Sequence, residues 1–230
     1  MNLMGFDPLY FLLVVPCIII SLVAQSKVKS AYRKYSAVSN MRGITGAQAA
    51  QNILDYYGIY DVQIKLIGGT LSDNYNPKTK IISLSSDVYN GSSVAAVGVA
   101  CHEAGHAAQH AQAYAPIKVR EAIIPMCKIG STISVPLIML GYILGFGILV
   151  YAGIFLYAGL FIFQLVTLPV EFNASSRALK VIDETNMLAG DELAGAKKVL
   201  SAAAMTYVAA MMTSLANLLR ILIRFSGRRR

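Results

Sequence analysis

The longest uncharged stretch of this chain limits its folding more than any other feature. The 42 positions from 129 to 170 contain no Asp, Glu, Lys or Arg. One helix of that length would run about 63 Å, roughly twice the thickness of the hydrocarbon core of a bilayer. The stretch therefore predicts a hairpin of two transmembrane helices, over about 132–149 and 151–168, with its turn near residues 151–153.

A second apolar segment lies near the N-terminus, where residues 8–24 carry no charge. Four basic residues follow it closely: Lys27, Lys29, Arg33 and Lys34. A cleaved signal peptide is the alternative, but signal peptides carry their positive charges before the apolar run. We therefore expect a transmembrane anchor over residues 5–24, with the chain from residue 25 onward in the cytosol.

The last apolar stretch, residues 199–219, is open to two interpretations. Its polar residues recur at helical spacing and form one narrow stripe. The helix is either a fourth membrane span or an amphipathic helix at the membrane surface or against the cytosolic part. Crossing would carry the arginines at 228–230 outside the cell, against the tendency of positive charge to stay in the cytosol. On this ground the non-crossing interpretation is preferred.

The composition supports a membrane protein. Hydrophobic residues make up 56% of the chain and charged residues 14%, whereas soluble domains contain about 25% charged residues. The net charge of +8 flanks the apolar runs and is not interleaved with aromatic residues, which argues against nucleic-acid binding. The three cysteines are odd in number and far apart, which argues against a disulfide framework and against a cysteine-based zinc site.

The polar part of the chain predicts a small α+β arrangement. Residues 45–58 are expected to form a helix that begins with a capping box of Thr45 and Gln48 and ends at Gly58. Two β-branched segments, 61–68 and 80–85, predict a small antiparallel sheet. An alanine-rich helix is expected at about 91–114.

All three histidines of the chain lie on this last helix. His102, Glu103 and His106 form the pattern H-E-x-x-H, in which residues i and i+4 of a helix direct both imidazoles at one zinc ion. Glu103 lies beside them, placed to take a proton from zinc-activated water. The alternative is a buried polar face of a helix in a membrane protein.

His110 extends the same spacing but does not fit as a third ligand. Ligands at i, i+4 and i+8 of a straight helix spread over about 12 Å, too far for one ion. The extended metzincin motif would need Gly at 109 and His at 112, where this chain has Gln109 and Gln112. We therefore expect His110 to lie around the metal site, at the surface, or on the substrate side.

The third ligand is then expected to be a carboxylate, and Glu171 is the best placed. It follows the predicted hairpin, with Pro169 near an expected helix start. The small residues Ala174, Ser175 and Ala178 share its face of the predicted helix, which favours a close approach to the histidine helix. The alternative is a carboxylate stabilised by the dipole at a helix N-terminus.

The stretches "HEAGHAAQH" and "LPVEFNASSRAL", separated by an apolar hairpin, resemble the YugP-type bacterial membrane zinc metallopeptidases, which are glutamate zincins. The resemblance covers nearly the whole chain. It implies one zinc ion, a zincin-like α+β catalytic part and an endopeptidase of the EC 3.4.24 type. The HtpX/Ste24 proteases are more distantly similar. Where they carry an acid that orients a ligating histidine, this chain has Ser175, whose hydroxyl supplies less charge.

The resemblance implies a mainly α membrane protein in which the peptidase domain is split. Residues 5–24 are the anchor, 25–130 the first part of the peptidase domain, 131–168 the transmembrane hairpin and 169–230 the second part. The implied location is the plasma membrane, in a multi-pass arrangement with the site facing the cytoplasm. The expected partners are a polypeptide substrate, from membrane or misfolded proteins, and the lipid bilayer.

Several roles stay open at this point. Arg177, Tyr207 and His110 are candidates for stabilising the oxyanion of the transition state, with salt bridges or packing as the alternative for each. The strand at 80–85 is a candidate edge strand for substrate backbone, with core packing as the alternative. The rival functions are a non-proteolytic zinc-binding scaffold, an intramembrane-cleaving protease and an ion transporter. The substrate preference and the oligomeric state are not determined by the sequence.

Overall fold

The computed structural model describes residues 7–226. In this part of the chain the helices and strands are α1 (Val15–Ser36), α2 (Gly46–Tyr56), β1 (Gln63–Ile67), β2 (Asn74–Asn76), β3 (Ile81–Ser85), α3 (Ser86–Tyr89), α4 (Val94–Ala111), α5 (Ala115–Leu144), α6 (Gly147–Glu184) and α7 (Asp191–Ser226). A π-helical segment, Tyr10–Val14, leads directly into α1. The first two positions of the predicted anchor, 5 and 6, and the basic positions 228–230 lie outside the described residues.

The chain forms two compact units. Unit 1 contains the described parts of residues 1–24, 119–168 and 206–230, and unit 2 contains residues 25–118 and 169–205. Among residues 7–226, four helices are long and apolar enough to cross a membrane: the one that ends with α1, and α5, α6 and α7. The chain is therefore a mainly α membrane protein, and α7 meets the same criterion of length and hydropathy as the three helices that were expected to cross.

The apolar hairpin in unit 1 turns earlier than predicted. Helix α5 ends at Leu144 and α6 begins at Gly147, so the turn near 151–153 is wrong. Gly145 makes the turn with a φ of +73°, a conformation that favours glycine. Gly153 lies inside α6, where a Cβ atom would come within 2.8 Å of the carbonyl oxygen of Ser134. This glycine therefore allows close helix packing and does not form the turn.

The start of α6 also differs from the expectation. Pro169 lies inside α6 and not near a helix start, because one continuous helix of 38 residues runs from Gly147 to Glu184. Glu171 is consequently an interior residue of α6. The interpretation of Glu171 as a carboxylate at a helix N-terminus is wrong for this reason.

Helices α1 and α7 lie antiparallel within unit 1. Asp7, just before the helical segment that contains α1, accepts hydrogen bonds from Arg220 and Arg224 near the end of α7. Further along α1, the hydroxyls of Ser21 and Thr213 are 3.2 Å apart. The sequence numbers of these contacts run in opposite directions, so the end of α7 lies beside the beginning of α1.

The sheet of unit 2 is mixed and not antiparallel. The strand order is β1-β3-β2, with β1 parallel to β3 and β2 antiparallel to β3. Thirteen residues separate β1 from β3 and include β2, which is enough chain to return to the starting end of the sheet. Because β3 is the central strand, the prediction that 80–85 forms an edge is wrong. Its Ile82 and Leu84 are fully buried, as the core-packing alternative requires.

The core of unit 2 is formed by α2, β3, α3, α4, the second half of α6 and the first part of α7. Local signals set the limits of its helices. The capping box of Thr45 and Gln48 is present at the start of α2, and Gly58 follows α2 with a φ of +65°. Helix α4 begins after Ser93, whose side chain accepts a hydrogen bond from the backbone N–H of Ala96, and is slightly shorter than the predicted 91–114.

Helices α4 and α6 approach each other closely at Gly105. A Cβ atom at this position would lie 2.6 Å from the carbonyl oxygen of Ala174, a distance that real Cβ contacts do not reach. The absence of a side chain at Gly105 therefore allows the backbones of the two helices to touch.

Replacing Gly105 tests this contact. We expect Gly105→Ala to destabilise the protein by about 1–3 kcal/mol, because the added methyl group forces the two helices apart. The measurement is unfolding of the metal-free protein in detergent, followed by circular dichroism.

Gly98→Ala on the same helix is the matched control. The nearest atom to its added methyl group would be the Cβ of Ala196 at 3.5 Å, an ordinary contact. Alanine is the better helix former, so this variant is expected to be unchanged or up to about 1 kcal/mol more stable. Equal stability of the two variants would contradict the close approach at Gly105.

Candidate metal centre

Two imidazoles of α4 point toward the same carboxylate. His102 and His106 are one helical turn apart, and their ring centroids are 4.8 Å from each other. The Nε2 atom of His102 lies 3.3 Å from Glu171 Oε2, and the Nε2 atom of His106 lies 3.6 Å from the same oxygen. The spacing i and i+4 explains why both rings lie on one face of α4.

Glu171 reaches this face because α6 packs directly against α4 in unit 2. The carboxylate is buried, with 2% of the residue exposed. Its neighbour in the next turn, Ala174, is the residue whose backbone touches Gly105. The contact between two small residues thus brings a carboxylate from one helix to two imidazoles of the other.

The spacing of the three side chains fits a small divalent cation. Their candidate ligand atoms all lie within 4.8 Å of one another. In a tetrahedral zinc site, bonds of about 2.0–2.2 Å place neighbouring ligand atoms about 3.3–3.6 Å apart. The two distances from Glu171 to the histidine nitrogens fall in that range. Two nitrogens and one carboxylate oxygen also form the donor set of a catalytic zinc site with an open fourth position.

The charges at the site favour the same conclusion. Burial alone would raise the pKa of the Glu171 carboxyl, but hydrogen bonds with His102 and His106 hold it well below its usual value. Burial alone would lower the pKa of His106, whereas Glu171 and the charge of Glu103 raise it. Without metal, the two imidazoles are thus the groups that stabilise the carboxylate. A divalent cation can take over this role when the protons leave.

Each histidine has a hydrogen-bond partner on its other ring nitrogen. The Nδ1 atom of His102 lies 3.1 Å from the hydroxyl oxygen of Ser175. The Nδ1 atom of His106 lies 3.0 Å from the side-chain oxygen of Gln109. An amide oxygen only accepts, so Nδ1 of His106 is the protonated nitrogen when this bond forms with a neutral ring, and Nε2 keeps its lone pair for a metal.

Gln109 is a functional candidate that the sequence analysis missed. It is fully buried, and its amide nitrogen donates to the carbonyl oxygen of Val170 at 2.8 Å and to the side-chain oxygen of Asn173 at 3.0 Å. The sequence analysis used Gln109 only to exclude a longer histidine motif. The available signal was its position three residues after His106, where a helix brings side chains together.

Arg177 lies at the far end of the same network. Its Nε donates to Asn173 at 2.7 Å, and its guanidinium also bonds to Gln112. The guanidinium lies over the rings of Tyr57 and Tyr114, at 5.9 and 5.8 Å from their centroids. Arg177 therefore ties α6 to the end of α4 through polar and ring contacts.

The other predicted residues lie in different surroundings. Glu103 is half-buried on α4. The ring of His110 packs against Tyr75 of β2, with centroids 5.6 Å apart, and is not a member of the metal-ligand group. Tyr207 belongs to α7 in unit 1. Cys101 is completely buried, which raises the pKa of its thiol and makes it unsuited to bind a metal.

Comparison with known proteins also indicates a zinc-binding protein. The chain matches a family model described as "Putative neutral zinc metallopeptidase" over residues 10–226. It is 44% identical to the "Putative membrane protease YugP" of Bacillus subtilis (strain 168), over 228 residues that cover 96% of this chain and 98% of that protein. No solved structure shows a significant match to the chain.

Removing the amide of Gln109 tests its role at the site. We expect Gln109→Ala to lower zinc affinity about 10–100-fold, because the ring of His106 loses the group that fixes its orientation and its protonated nitrogen. Zinc affinity is measured by competition with a chromogenic chelator.

Gln112→Ala removes the same kind of side chain near the same helix end. Its side chain contacts Arg177, and the bond between Gln109 and His106 does not involve it. Zinc affinity in this control is expected to stay within about twofold of the unmodified protein, since the orientation of His106 is retained. A similar loss of affinity in both variants would show that Gln109 has no specific role.

Proposed function

Because the chain belongs to the neutral zinc metallopeptidase family, we propose that it is a membrane-bound zinc endopeptidase of the EC 3.4.24 type. The observation that carries this proposal is the meeting of His102, His106 and Glu171 with their ligand atoms within 4.8 Å of one another. Glu103, in the same motif, is the proposed catalytic base.

His102, His106 and Glu171 would hold one zinc ion. When bound, zinc acts as a Lewis acid that polarises a carbonyl group and makes a coordinated water more acidic. Ser175 and Gln109 hold the two imidazole rings in orientation. The burial of Glu171 keeps water away from one side of the site.

Glu103 is proposed to accept a proton from the attacking water and later to donate it to the leaving amine. Neighbouring positions on a helix point about 100° apart, so Glu103 does not share the direction of His102 and His106. This direction suits a base beside the metal better than a fourth ligand. A carboxylate with this role is not needed in a purely structural zinc site.

The residue that stabilises the oxyanion is best sought among His110, Arg177 and Tyr207. Arg177 already bonds to Asn173 and Gln112, which supports a positioning role for it. His110 packs on Tyr75 of β2. Strand β2 lies at an edge of the sheet and could therefore pair with substrate, which the central β3 cannot do. An extended substrate that pairs with β2 would therefore run beside His110, which favours His110 as the donor.

We place all four long helices across the plasma membrane, with unit 2 in the cytosol. The basic residues in the second half of α1 support this orientation. Contacts near both ends of the apolar part of α1 place α7 beside it. Since α7 is apolar over a comparable length, it is proposed to cross the bilayer together with α1. The substrates are membrane or misfolded proteins, on the basis of the family resemblance.

Replacing the proposed base separates chemistry from metal binding. We expect Glu103→Gln to keep its zinc and to cleave about 10²–10⁴-fold more slowly, because an amide cannot accept the proton. The assay uses the purified full-length protein in detergent with an unfolded protein substrate. Zinc content is measured on the same sample, and unchanged cleavage would exclude Glu103 as the base.

Glu171→Gln is the companion variant. An amide of the same shape keeps the packing of α6 but loses the charge, so zinc content is expected to fall well below that of the unmodified protein. Full zinc content would exclude Glu171 as a ligand. Zinc bound by the unmodified protein without any cleavage of the substrate would favour the alternative of a non-proteolytic zinc-binding scaffold.

Cysteine labelling tests the orientation in intact cells. We expect Lys78→Cys to be protected from a membrane-impermeant maleimide, because it lies in the sheet region of unit 2 assigned to the cytosol. Phe146→Cys in the hairpin turn and Arg228→Cys are expected to react from outside. Protection of Arg228→Cys beside a reactive Phe146→Cys would contradict the crossing of α7.

A further inference from the structure

Unit 1 contains a cleft of about 320 Å³ between α5, the start of α6 and the end of α7. Its α5 wall is mostly apolar and consists of Val135, Ile138, Met139 and Tyr142. Arg220 and Arg224 of α7 also line it. An apolar cleft that includes two guanidinium groups is chemically matched to an amphiphile with an anionic head.

The positive charge at this cleft exceeds the negative charge beside it. Asp7 accepts hydrogen bonds from Arg220 at 3.1 Å and from Arg224 at 2.7 Å, so one carboxylate serves two guanidinium groups. The sequence of unit 1 contains one other acid, Glu121, near the opposite end of α5. The cluster therefore keeps a net charge of about +1, since arginine does not lose its proton in proteins.

Arg220 has unused hydrogen-bonding capacity. Its Nε atom is shielded from solvent and has no hydrogen-bond partner in the described part of the chain. The guanidinium lies over the ring of Tyr10, 5.3 Å from the centroid, and the side chain is 24% exposed. A shielded donor without a partner is costly, so Asp7 does not satisfy the whole Arg220 guanidinium.

The cleft lies close to the ends of its helices. Two of its lining residues, Tyr142 and Val150, lie within three residues of the ends of α5 and α6 that flank their turn. The two arginines share the carboxylate of Asp7, which lies just before the helical segment that contains α1. In helices that cross a bilayer, residues this close to the helix ends lie near the lipid headgroups, whereas Val135, nine residues before the end of α5, lies about 14 Å deeper, at the level of the acyl chains.

We propose that this cleft binds an anionic phospholipid. The phosphodiester accepts hydrogen bonds from Arg220 and Arg224, for which the planar guanidinium is well suited, and one acyl chain lies along Ile138 and Met139. The inference rests on the membrane insertion in the proposed function. It does not depend on zinc or on peptide cleavage.

The test is lipid retention by the full-length protein. The protein is reconstituted in nanodiscs of equal parts phosphatidylcholine and phosphatidylglycerol and then transferred to detergent, and bound lipids are identified by native mass spectrometry. We expect preferential retention of phosphatidylglycerol. In the double variant Arg220→Gln/Arg224→Gln this preference is expected to fall on the order of tenfold, as two charged contacts are lost.

Three controls separate this site from general charge and from folding defects. Lys27→Gln/Lys29→Gln removes two charges beyond the other end of the span and is expected to keep the preference. Met139→Trp fills the cleft, keeps both arginines and is expected to reduce retention. Arg224→Lys keeps the charge and covers the case in which the double variant does not fold. Its retention is expected within a few-fold of the unmodified protein.

The outcomes distinguish the proposal from its alternatives. Equal preference in the unmodified protein and in a folded Arg220→Gln/Arg224→Gln variant would overturn it, as would full displacement of the lipid by inorganic phosphate. Glu103→Gln is expected to retain the lipid like the unmodified protein. Loss of peptidase function therefore leaves this result unaffected, and failure of lipid retention leaves the peptidase proposal standing.

Discussion

The contact between α4 and α6 at Gly105 and Ala174 is the interaction on which the candidate site depends. A Cβ atom at Gly105 would lie 2.6 Å from a backbone oxygen of α6. With a larger residue the helices would separate, and Glu171 would move away from His102 and His106. The glycine in the motif thus has a packing role as definite as the chemical roles of its neighbours. Burial of the carboxylate follows from the same close approach.

The groups that orient the two histidines are neutral, and the charge of the site explains why this is suitable. A zinc ion carries two positive charges, and the carboxylates of Glu103 and Glu171 carry two negative ones. A further carboxylate in place of Ser175 or Gln109 would leave an uncompensated charge beside the buried Glu171. An amide and a hydroxyl fix the rings without this cost. Gln109 in addition ties the histidine helix to α6 through Val170 and Asn173.

The features predicted correctly from the sequence depend on local signals. The capping box at Thr45 and Gln48 and the helical spacing of His102 and His106 involve residues within one turn of each other. Features that depend on packing were less predictable. Gly145 and Gly153 are both suited to a turn, and only the position of α5 explains why Gly153 is a packing residue. The direction of β1 relative to β3 depends on the path of a thirteen-residue connection.

The candidate site contains some residues that the sequence predicted and others that only the packing of the helices reveals. The sequence alone suggested Glu171 as a partner of the two histidines, because it comes directly after the hairpin and small residues share its face of the helix. It did not suggest Gln109, whose partners Val170 and Asn173 are more than sixty positions away. A buried amide is recognisable as functional only when its hydrogen-bond partners are known. The same applies to Asp7, which pairs with arginines at the opposite end of the chain.

The position of Glu171 in the chain also determines when the site can assemble during synthesis. The ribosome adds about 5–20 residues per second, and 65 positions separate His106 from Glu171. A site that needs both residues cannot assemble until about 3–13 s after the second histidine has been made. During that interval α5 and the apolar part of α6 are synthesised. A site assembled in this order is incomplete until the whole hairpin that precedes Glu171 has been made.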